Sequence, residues 1–490
     1  MYKRPPKNVE RARLFALYSI MTFFVIAIVL ALVMVVSNYG YNQATGTFEQ
    51  RGLVQFASTP SGATIEVDGK ALASRSSTKS SVEPGEHTFA VWREGYETWS
   101  MTTNIDEGSL VWLNYIRLIP KQRAIDTIRT YDTAVTSTSV APNNAGLLMQ
   151  FKPTQASFRY VDITRDAPAG RMIELPQSAY SPSNDDEKAA AKRKAPTFTV
   201  DKWDESGRYV MVWLTIASSK QLIVVDTEEP RKTVNVSREF SLPIESARFS
   251  GRSGNILYVI SSGTLRRLNV SEGTASRSLA SNVAQFDMFD SNTVTYVSKA
   301  DDDTGERVIG VYRDGDKDVT VLRKVANRNV PVSIAARNYY NTTYTAITEG
   351  NKFSLYKGHH DRGMSGLREV ATQTLDSSIE SLEFNASGSH VLLRTKAGFV
   401  SYGIDRELFS KVALDEGASK ELFWIDTMHL GAIINGSLTI RDVDGTNVHE
   451  LNTAAGSKSA VLSRNGTYMY SFGKSEDGHV TLQRIRMILR

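Results

Sequence analysis

The stretch Val200-Asp-Lys-Trp-Asp-Glu-Ser-Gly-Arg-Tyr-Val-Met-Val-Trp213 decides the fold. It reads as the end of one strand, a polar turn carrying Gly207, and the start of a second, apolar strand. A third strand follows at Leu222-Ile-Val-Val-Asp226. The same order recurs along the chain. Thr138-Ser-Val-Ala-Pro-Asn-Asn-Ala-Gly-Leu-Leu-Met-Gln-Phe151 precedes it. Ala247-Arg-Phe-Ser-Gly-Arg-Ser-Gly-Asn-Ile-Leu-Tyr-Val259 and Phe286-Asp-Met-Phe-Asp-Ser-Asn-Thr-Val-Thr-Tyr-Val297 follow it, with a weaker copy near Val332. Three more begin at Leu382, Phe423 and Val461. Third strands recur as Leu265-Arg-Arg-Leu-Asn269, Phe399-Val-Ser-Tyr-Gly403 and Leu438-Thr-Ile-Arg-Asp442.

These are about eight copies, roughly 40 to 60 residues apart, against about 40 to 45 residues for one four-stranded propeller blade. A lone four-stranded sheet cannot bury both faces, so such units stack. The spacing predicts a β-propeller over residues 121–490, with seven or eight blades. Two consecutive β-sandwiches are the competing architecture, which the regular spacing disfavours. The turn pattern resembles the degenerate Ser-Pro-Asp-Gly turn of TolB-like and WD-repeat-like propellers. The wide first gap reads as an insertion over about 167–196. Its segment Asp185-Asp-Glu-Lys-Ala-Ala-Ala-Lys-Arg-Lys194 is helix-prone and charged, and is expected as a solvated excursion from one blade, with a partner-docking helix as the sharper alternative.

Residues 52–120 read as a separate set of short strands. Thr64-Ile-Glu-Val67 runs into Asp68-Gly69, a hairpin signal because that turn demands positive φ. Ser58-Thr-Pro-Ser-Gly-Ala-Thr-Ile-Glu-Val-Asp-Gly69, then Glu83-Pro-Gly-Glu-His87, then Glu94-Gly-Tyr-Glu-Thr-Trp99 resemble the PEGA domain, a small β-sandwich of prokaryotic surface and envelope proteins. The sequence departs from the family pattern at Ser76-Ser77-Thr78-Lys79, where a Thr-Pro pair is usual, and at His87 in the namesake tetrapeptide. The aromatics Trp92, Tyr96, Trp99, Trp112 and Tyr115 invite two readings. They fill a small core, or Trp92, Tyr96 and Trp99 form a ligand-binding platform on which sugar rings stack.

Towards the N-terminus, Leu14 to Val36 contains no charged residue. At 1.5 Å per residue, about 23 helical residues cross a hydrocarbon core of roughly 30 Å. Lys3, Arg4, Lys7, Arg11 and Arg13 precede it against Glu10 alone, and no Lys or Arg follows until Arg51. The positive-inside rule then puts residues 1–13 in the cytoplasm as a basic tail and everything beyond the span outside. Tyr39 and Tyr41, in an expected linker over 37–51, stand where interfacial aromatics lie. A cleaved signal peptide would have an apolar run of about 7 to 15 residues before a small-x-small site, which Val-Val-Ser-Asn-Tyr-Gly is not. The formal charge of +4 comes from 57 basic and 53 acidic residues. The tail holds five and one of these, leaving 52 against 52, so the remainder is neutral and lacks the basic footprint of a nucleic-acid binder.

The expected whole is an all-β ectodomain, a small PEGA-like β-sandwich followed by a 7–8-bladed β-propeller, on one N-terminal transmembrane helix of the cell membrane. The chain has no cysteine, which removes thiol catalysis and thiolate metal sites. It contains no Gly-x-Ser-x-Gly, phosphate-binding loop, dinucleotide fingerprint or His-Glu-x-x-His. His359-His360 beside Asp361, Asp442-Val-Asp444-Gly445 with Glu450, and Asp301-Asp302-Asp303 are read as loop and turn residues, so no metal, cofactor or catalytic set is expected. The reading is a non-enzymatic binding or scaffold protein whose propeller face takes an envelope protein or a surface polysaccharide, held to lipid by its helix. The alternative is a cell-wall polysaccharide hydrolase or lyase working from the propeller's central pocket.

Overall fold

The computed structural model describes residues 7–42, 46–326, 329–415, 422–453 and 459–489. They fall into two units: residues up to Gln122 together with Ile488 and Leu489, and Arg123–Met487. The expected boundary at 120/121 thus moves by two residues, and the last described residues leave the propeller for the first unit.

The first unit begins with helix α1, Lys7–Val36. Its stretch Arg11–Val36 is long and apolar enough to cross a membrane, and none of it is buried against protein. The helix stops because Asn38 takes a left-handed conformation at φ 59, as helix-ending residues often do, while the Ser37 N–H donates to Val33 O at 2.8 Å. Residues 37–51 are not a plain linker. Strands β1 (Tyr39–Asn42) and β2 (Thr47–Gln50) pair as an antiparallel hairpin, with Tyr41 opposite Phe48. In sequence the segment reads as a linker, because its residues alternate polar and aromatic without a strong apolar face.

Seven strands then form the sandwich: β3 (Gly52–Thr59), β4 (Thr64–Val67), β5 (Lys70–Ala71), β6 (Thr78–Val82), β7 (Gly85–Trp92), β8 (Trp99–Ile105) and β9 (Leu110–Arg117). One sheet has the order β6-β3-β9 and the other β5-β4-β7-β8. Alternation along β3 sends Val54 and Phe56 inward, where they meet Ile65, Phe89, Val91 and Trp99 from the facing sheet. The Asp68-Gly69 turn forms as the sequence implies, with φ of 50° and 77°. Leu489 packs against this core, and its N–H donates to the Tyr96 hydroxyl at 2.7 Å.

The second unit holds eight four-stranded antiparallel sheets among the described residues, seven of them in strict chain order. Those seven span 137–174, 197–235, 244–275, 283–325, 332–374, 379–413 and 423–453. The eighth combines residues 461–486 with strand β10 (Ile125–Tyr131), which pairs antiparallel with Val480–Arg486. The first strand of the unit therefore completes the last sheet. Leu147 and Met149 of the first sheet pack with Tyr131 of β10 and with Tyr470 and Phe472 of the eighth. Leu148 and Phe158 meet Val210 and Val212 on the other side, and similar shared cores join the later neighbours. The ring closes through the seventh and eighth sheets, where Asn452 donates to Ser471 Oγ and Gln483 Oε1 at 3.1 Å. This is a closed β-propeller, and the sheets are its blades.

The repeated turn has a physical purpose. At the start of the turn between the first and second strands, a short polar side chain accepts the N–H that opens the second strand. Asp204 takes Tyr209 N–H at 2.9 Å, Asn385 takes His390 N–H at 3.2 Å, Asp426 takes His429 N–H at 2.9 Å and Ser463 takes Tyr468 N–H at 2.9 Å. Asp, Asn and Ser suit this because their oxygens sit one or two bonds from the backbone. Gly388 completes the turn in the sixth blade at φ 77, where a Cβ would lie 2.5 Å from Asn338 O.

The expected insertion needs correction in two respects. Ala169–Glu174 is the fourth strand of the first blade, so the excursion starts only at Leu175. Nor is it simply solvated. Helix α3 (Asp185–Arg193) lays Ala190 and Ala191 against the core shared by the first two blades. The charged composition hid a narrow small-residue face.

Two outcomes follow for stability. Tyr131 is buried where β10 shuts the ring, so Tyr131→Ala should lower propeller stability by about 3 kcal/mol, read as a fall in the urea midpoint. The second concerns His390, whose imidazole lies against Ser389 Oγ at 3.0 Å in the sixth blade. Burial, with the Arg406 charge adding to it, pushes its pKa down to about 4. The unfolded imidazole takes its proton nearer 6.5, so the unfolded state binds more protons between those values. Stability is full above that upper value and falls as pH drops towards the lower one. Between pH 7 and pH 5 the loss is about 2 kcal/mol, and His390→Gln should remove that share of the pH dependence.

Candidate binding face

Antiparallel strands A to D within each blade give the propeller two different ends. The A–B and C–D turns share one end. The B–C turns and the connections to the next blade share the other. The two ends differ in chemistry.

At the A–B and C–D end, several charged groups are paired with one another. Arg208 holds Asp226 through both Nε and Nη2, at 3.0 and 2.6 Å. Burial raises the Asp226 carboxyl, but the Arg208 bonds and the N–H groups of Glu228 and Glu229 hold it below the ordinary carboxylate range. In the seventh blade, buried His429 lies between Asp426 Oδ1 at 2.7 Å and Asp442 Oδ1 at 3.3 Å. Asp442 thus faces inward, while Asp444 Oδ1 accepts Thr446 N–H at 2.9 Å and Glu450 accepts the Ser437 hydroxyl at 2.7 Å. These acids diverge, as expected of a turn. His360 is buried with its Nε2 2.7 Å from Thr345 Oγ1, and burial lowers its pKa, whereas His359 beside it is exposed. Among the described residues no three His, Asp or Glu side chains are arranged to hold a metal ion.

The opposite end carries α3 and a cleft beside it, and a second cleft runs from this end along the blade edges to the C–D turn of the fourth blade. Helix α3 is seated by a capping arrangement. Asn184 Oδ1 accepts Glu187 N–H at 2.8 Å, and Glu187 reaches back to Ser183 N–H at 2.8 Å. Asp185 and Asp186 in the first turn, and Lys192 and Arg193 in the last, complement the helix dipole. Glu187 also receives Gln221 Nε2 at 2.7 Å and Arg238 Nη2 at 3.4 Å, tying the helix to the second blade. Burial raises this carboxyl, yet the Ser183 donors, the Arg238 charge and Gln221 leave it below its usual value. Buried Asn235 donates to Ala179 O and Gln221 Oε1, both at 2.8 Å, and so fixes helix α2 (Gln177–Tyr180).

Beside α3 lies a cleft of about 610 Å³ between the second and third blades, lined by Ser219, Lys220, Ser237, Arg238, Ser241 and Glu245. The Lys220 ammonium sits 3.9 Å over the Trp213 ring, whose Nε1 donates to Asp201 at 2.9 Å. A second cleft of about 640 Å³ lies between the third and fourth blades, with Arg277, Ser281, Asp301, Glu306, Lys317 and Lys324 among its walls. Asp301 Oδ1 is engaged by Thr304 N–H and Oγ1 at 2.8 and 2.9 Å, and Glu306 pairs with Lys324 at 3.4 Å. Arg277 is fixed by Lys317 O at 2.8 Å. Both clefts are open, with hydroxyls and cations on their walls. They suit a polar, extended ligand more than a compact apolar one.

The structure separates the three residues expected as a ligand platform. Trp92 is 40% exposed and donates through Nε1 to Glu66 at 2.9 Å. Tyr96 and Trp99 are 3% and 2% exposed. Strand alternation on β7 and β8 turns Trp99 into the core against Tyr115, so neither Tyr96 nor Trp99 offers a free ring face. The core reading describes these two. Sequence reading missed α3 docking, Asn235 and the Lys220–Trp213 pair. Only the Ser-Asn-x-x-Glu spacing at 183–187 signalled a deliberate helix start.

Residues 51–119 match the PEGA domain family model. No curated protein matches the chain. Solved structures similar to it include the β-propeller domain of Myceliophteria thermophila Cps50 (Swd1), at 10% identity, 74% of this chain, 99% of that chain and a TM-score of 0.39. Porphyromonas gingivalis dipeptidyl peptidase 4 is similar at 11% identity over 73% of this chain and 58% of its own, with a TM-score of 0.47.

Trp99→Ala should destabilise the sandwich by about 3–5 kcal/mol, whereas Trp92→Ala should change it by less than about 0.5 kcal/mol. Thermal unfolding of the two variants reads the difference. Glu187→Ala should release α3, seen as faster tryptic cleavage at Lys192, Arg193 and Lys194 with the rest of the propeller intact.

Proposed function

We propose that this chain is a membrane-anchored, non-enzymatic scaffold whose propeller binds an envelope protein or surface polysaccharide outside the cell membrane. The observation that carries the reading is the asymmetry of the propeller. At one end Arg208 and Asp226 pair internally, and the other presents a docked helix with a polar cleft beside it, next to a second cleft that opens along the blade edges. Hydroxyls with Lys220, Arg238, Arg277 and Lys317 match the hydroxyl and carboxylate groups of an envelope polymer, or the polar rim of a protein surface. The sandwich serves as spacer or second contact. The PEGA match and the repeat scaffold support a surface-binding role. The run of basic residues before α1 supports a cytoplasmic N-terminus, with residues beyond the span outside.

The alternative, a wall-polymer hydrolase or lyase, requires two carboxylates that face one bound sugar, about 5–9.5 Å apart. Asp301 and Glu306 in the second cleft are instead held by Thr304 and Lys324. The expected test outcome is specific. A photo-crosslinking residue in place of Lys220 or Ser281, in the full-length protein in its own membrane, captures the same partner or polymer. The same residue in place of Thr164, at the other end, captures neither. Turnover of a wall polymer with no captured partner would overturn the scaffold reading. An export-dependent reporter enzyme fused after the propeller should be active; an inactive one reverses the assigned topology.

A further inference from the structure

The hairpin β1–β2 has two unlike faces. The register places Tyr41 opposite Phe48 and Tyr39 opposite Gln50, so Tyr39, Tyr41 and Phe48 share one face. They are 44%, 52% and 60% exposed, and the Tyr41 and Phe48 rings meet edge to face at 5.4 Å. Gly40, Thr47 and Glu49 lie on the other face, with Thr47 Oγ1 bonded to Glu49 Oε1 at 2.9 Å. Arg51 covers the Gly40 end of that face and leaves Thr47 exposed. The Arg51 side chain crosses Gly40 so closely that a Cβ there would be 2.3 Å from Nε, and Arg51 pairs with Glu83 at 3.0 Å.

The hairpin is also clamped at both ends of its connection. Arg51 N–H donates to Asn38 O, and Asn38 Nδ2 donates to Arg51 O, each at 2.9 Å. Gln50 Nε2 donates to Ser37 O at 3.0 Å, and Ser81 Oγ of β6 donates to Asn38 Oδ1 at 2.6 Å. Helix end, hairpin and sandwich are therefore one hydrogen-bonded piece.

We propose that this hairpin is an interfacial membrane element that seats its aromatic face in the lipid headgroup layer and fixes the tilt of the sandwich against the bilayer. This rests on the reading of α1 as a membrane span. With Leu14 at one edge of a hydrocarbon core, about 23 residues at 1.5 Å bring Val36 to the other edge. Tyr39 follows three residues later. The headgroup layer on each side is about 5–8 Å deep, and a four-residue hairpin reaches about 13 Å. Lying on its aromatic face, it keeps all three rings in that layer, where amphipathic aromatics are favoured and Glu49 stays in water. The occupant of this face is lipid headgroup and upper acyl chain.

The absence of cysteine makes any introduced thiol unique. Nitroxide labels on Tyr41→Cys, Phe48→Cys, Glu49→Cys and Val25→Cys are compared in the full-length protein, in vesicles of phosphatidylethanolamine and phosphatidylglycerol. Collision with oxygen against an aqueous nickel chelate reads depth. Labels at positions 41 and 48 should be shielded from nickel several-fold more than the label at 49. Equal exposure at 41, 48 and 49 with a shielded label at 25 sinks the hairpin proposal and leaves the anchor. A nickel-exposed label at 25 sinks the anchor itself. As a second readout, Tyr41→Ser with Phe48→Ser should broaden the distances between a dye on Lys79→Cys and a headgroup dye; unchanged distances count against the fixed tilt.

Discussion

The pairing of Ile125–Tyr131 with Val480–Arg486 is the constraint on which the propeller depends. Without it Val480–Arg486 would be the bare outer strand of the eighth blade, a template for the wrong partner. With it, the first blade packs on the eighth through Leu147, Met149, Tyr470 and Phe472 as it packs on the second through Leu148 and Phe158. Every shared core then has a neighbour on each side. In a chain without disulfides, that continuity of packing is what rigidity rests on.

The ring in turn makes the two ends unequal. Turn side chains accept the N–H groups that open second strands at one end, and there Arg208 pairs with Asp226 and His429 lies between Asp426 and Asp442. The other end takes the longer connections, so it has room for α3, α4 (Val236–Glu239) and the cleft beside them. Function is read from that inequality of shape and donor chemistry, since the net charge of the whole chain belongs to its first thirteen residues.

Much of this was legible in sequence where one residue type serves one geometry. Asp204, Asn385 and Ser463 mark their turns because only a short polar side chain reaches the opening N–H of the next strand. Asp68-Gly69 marks its hairpin because both positions need positive φ. The aromatic set was less legible. Trp92 and Trp99 look alike in sequence, and only the pairing of β7 with β8 decides which ring is inside. Helix α3 looked solvated because Lys and Glu dominate its composition, although Glu187 and Ala190 face the blade. Register between short strands was likewise out of reach, so Phe48 gained its place beside Tyr41 only in three dimensions.

Strand β10 has a temporal consequence. Its partner is made about 350 residues after it, so the ring has no complete perimeter until Val480–Arg486 has emerged. A segment threaded across a membrane from its N-terminal side would therefore stay an open array of blades throughout passage. The clasp then shuts last, after the sandwich strands have been made.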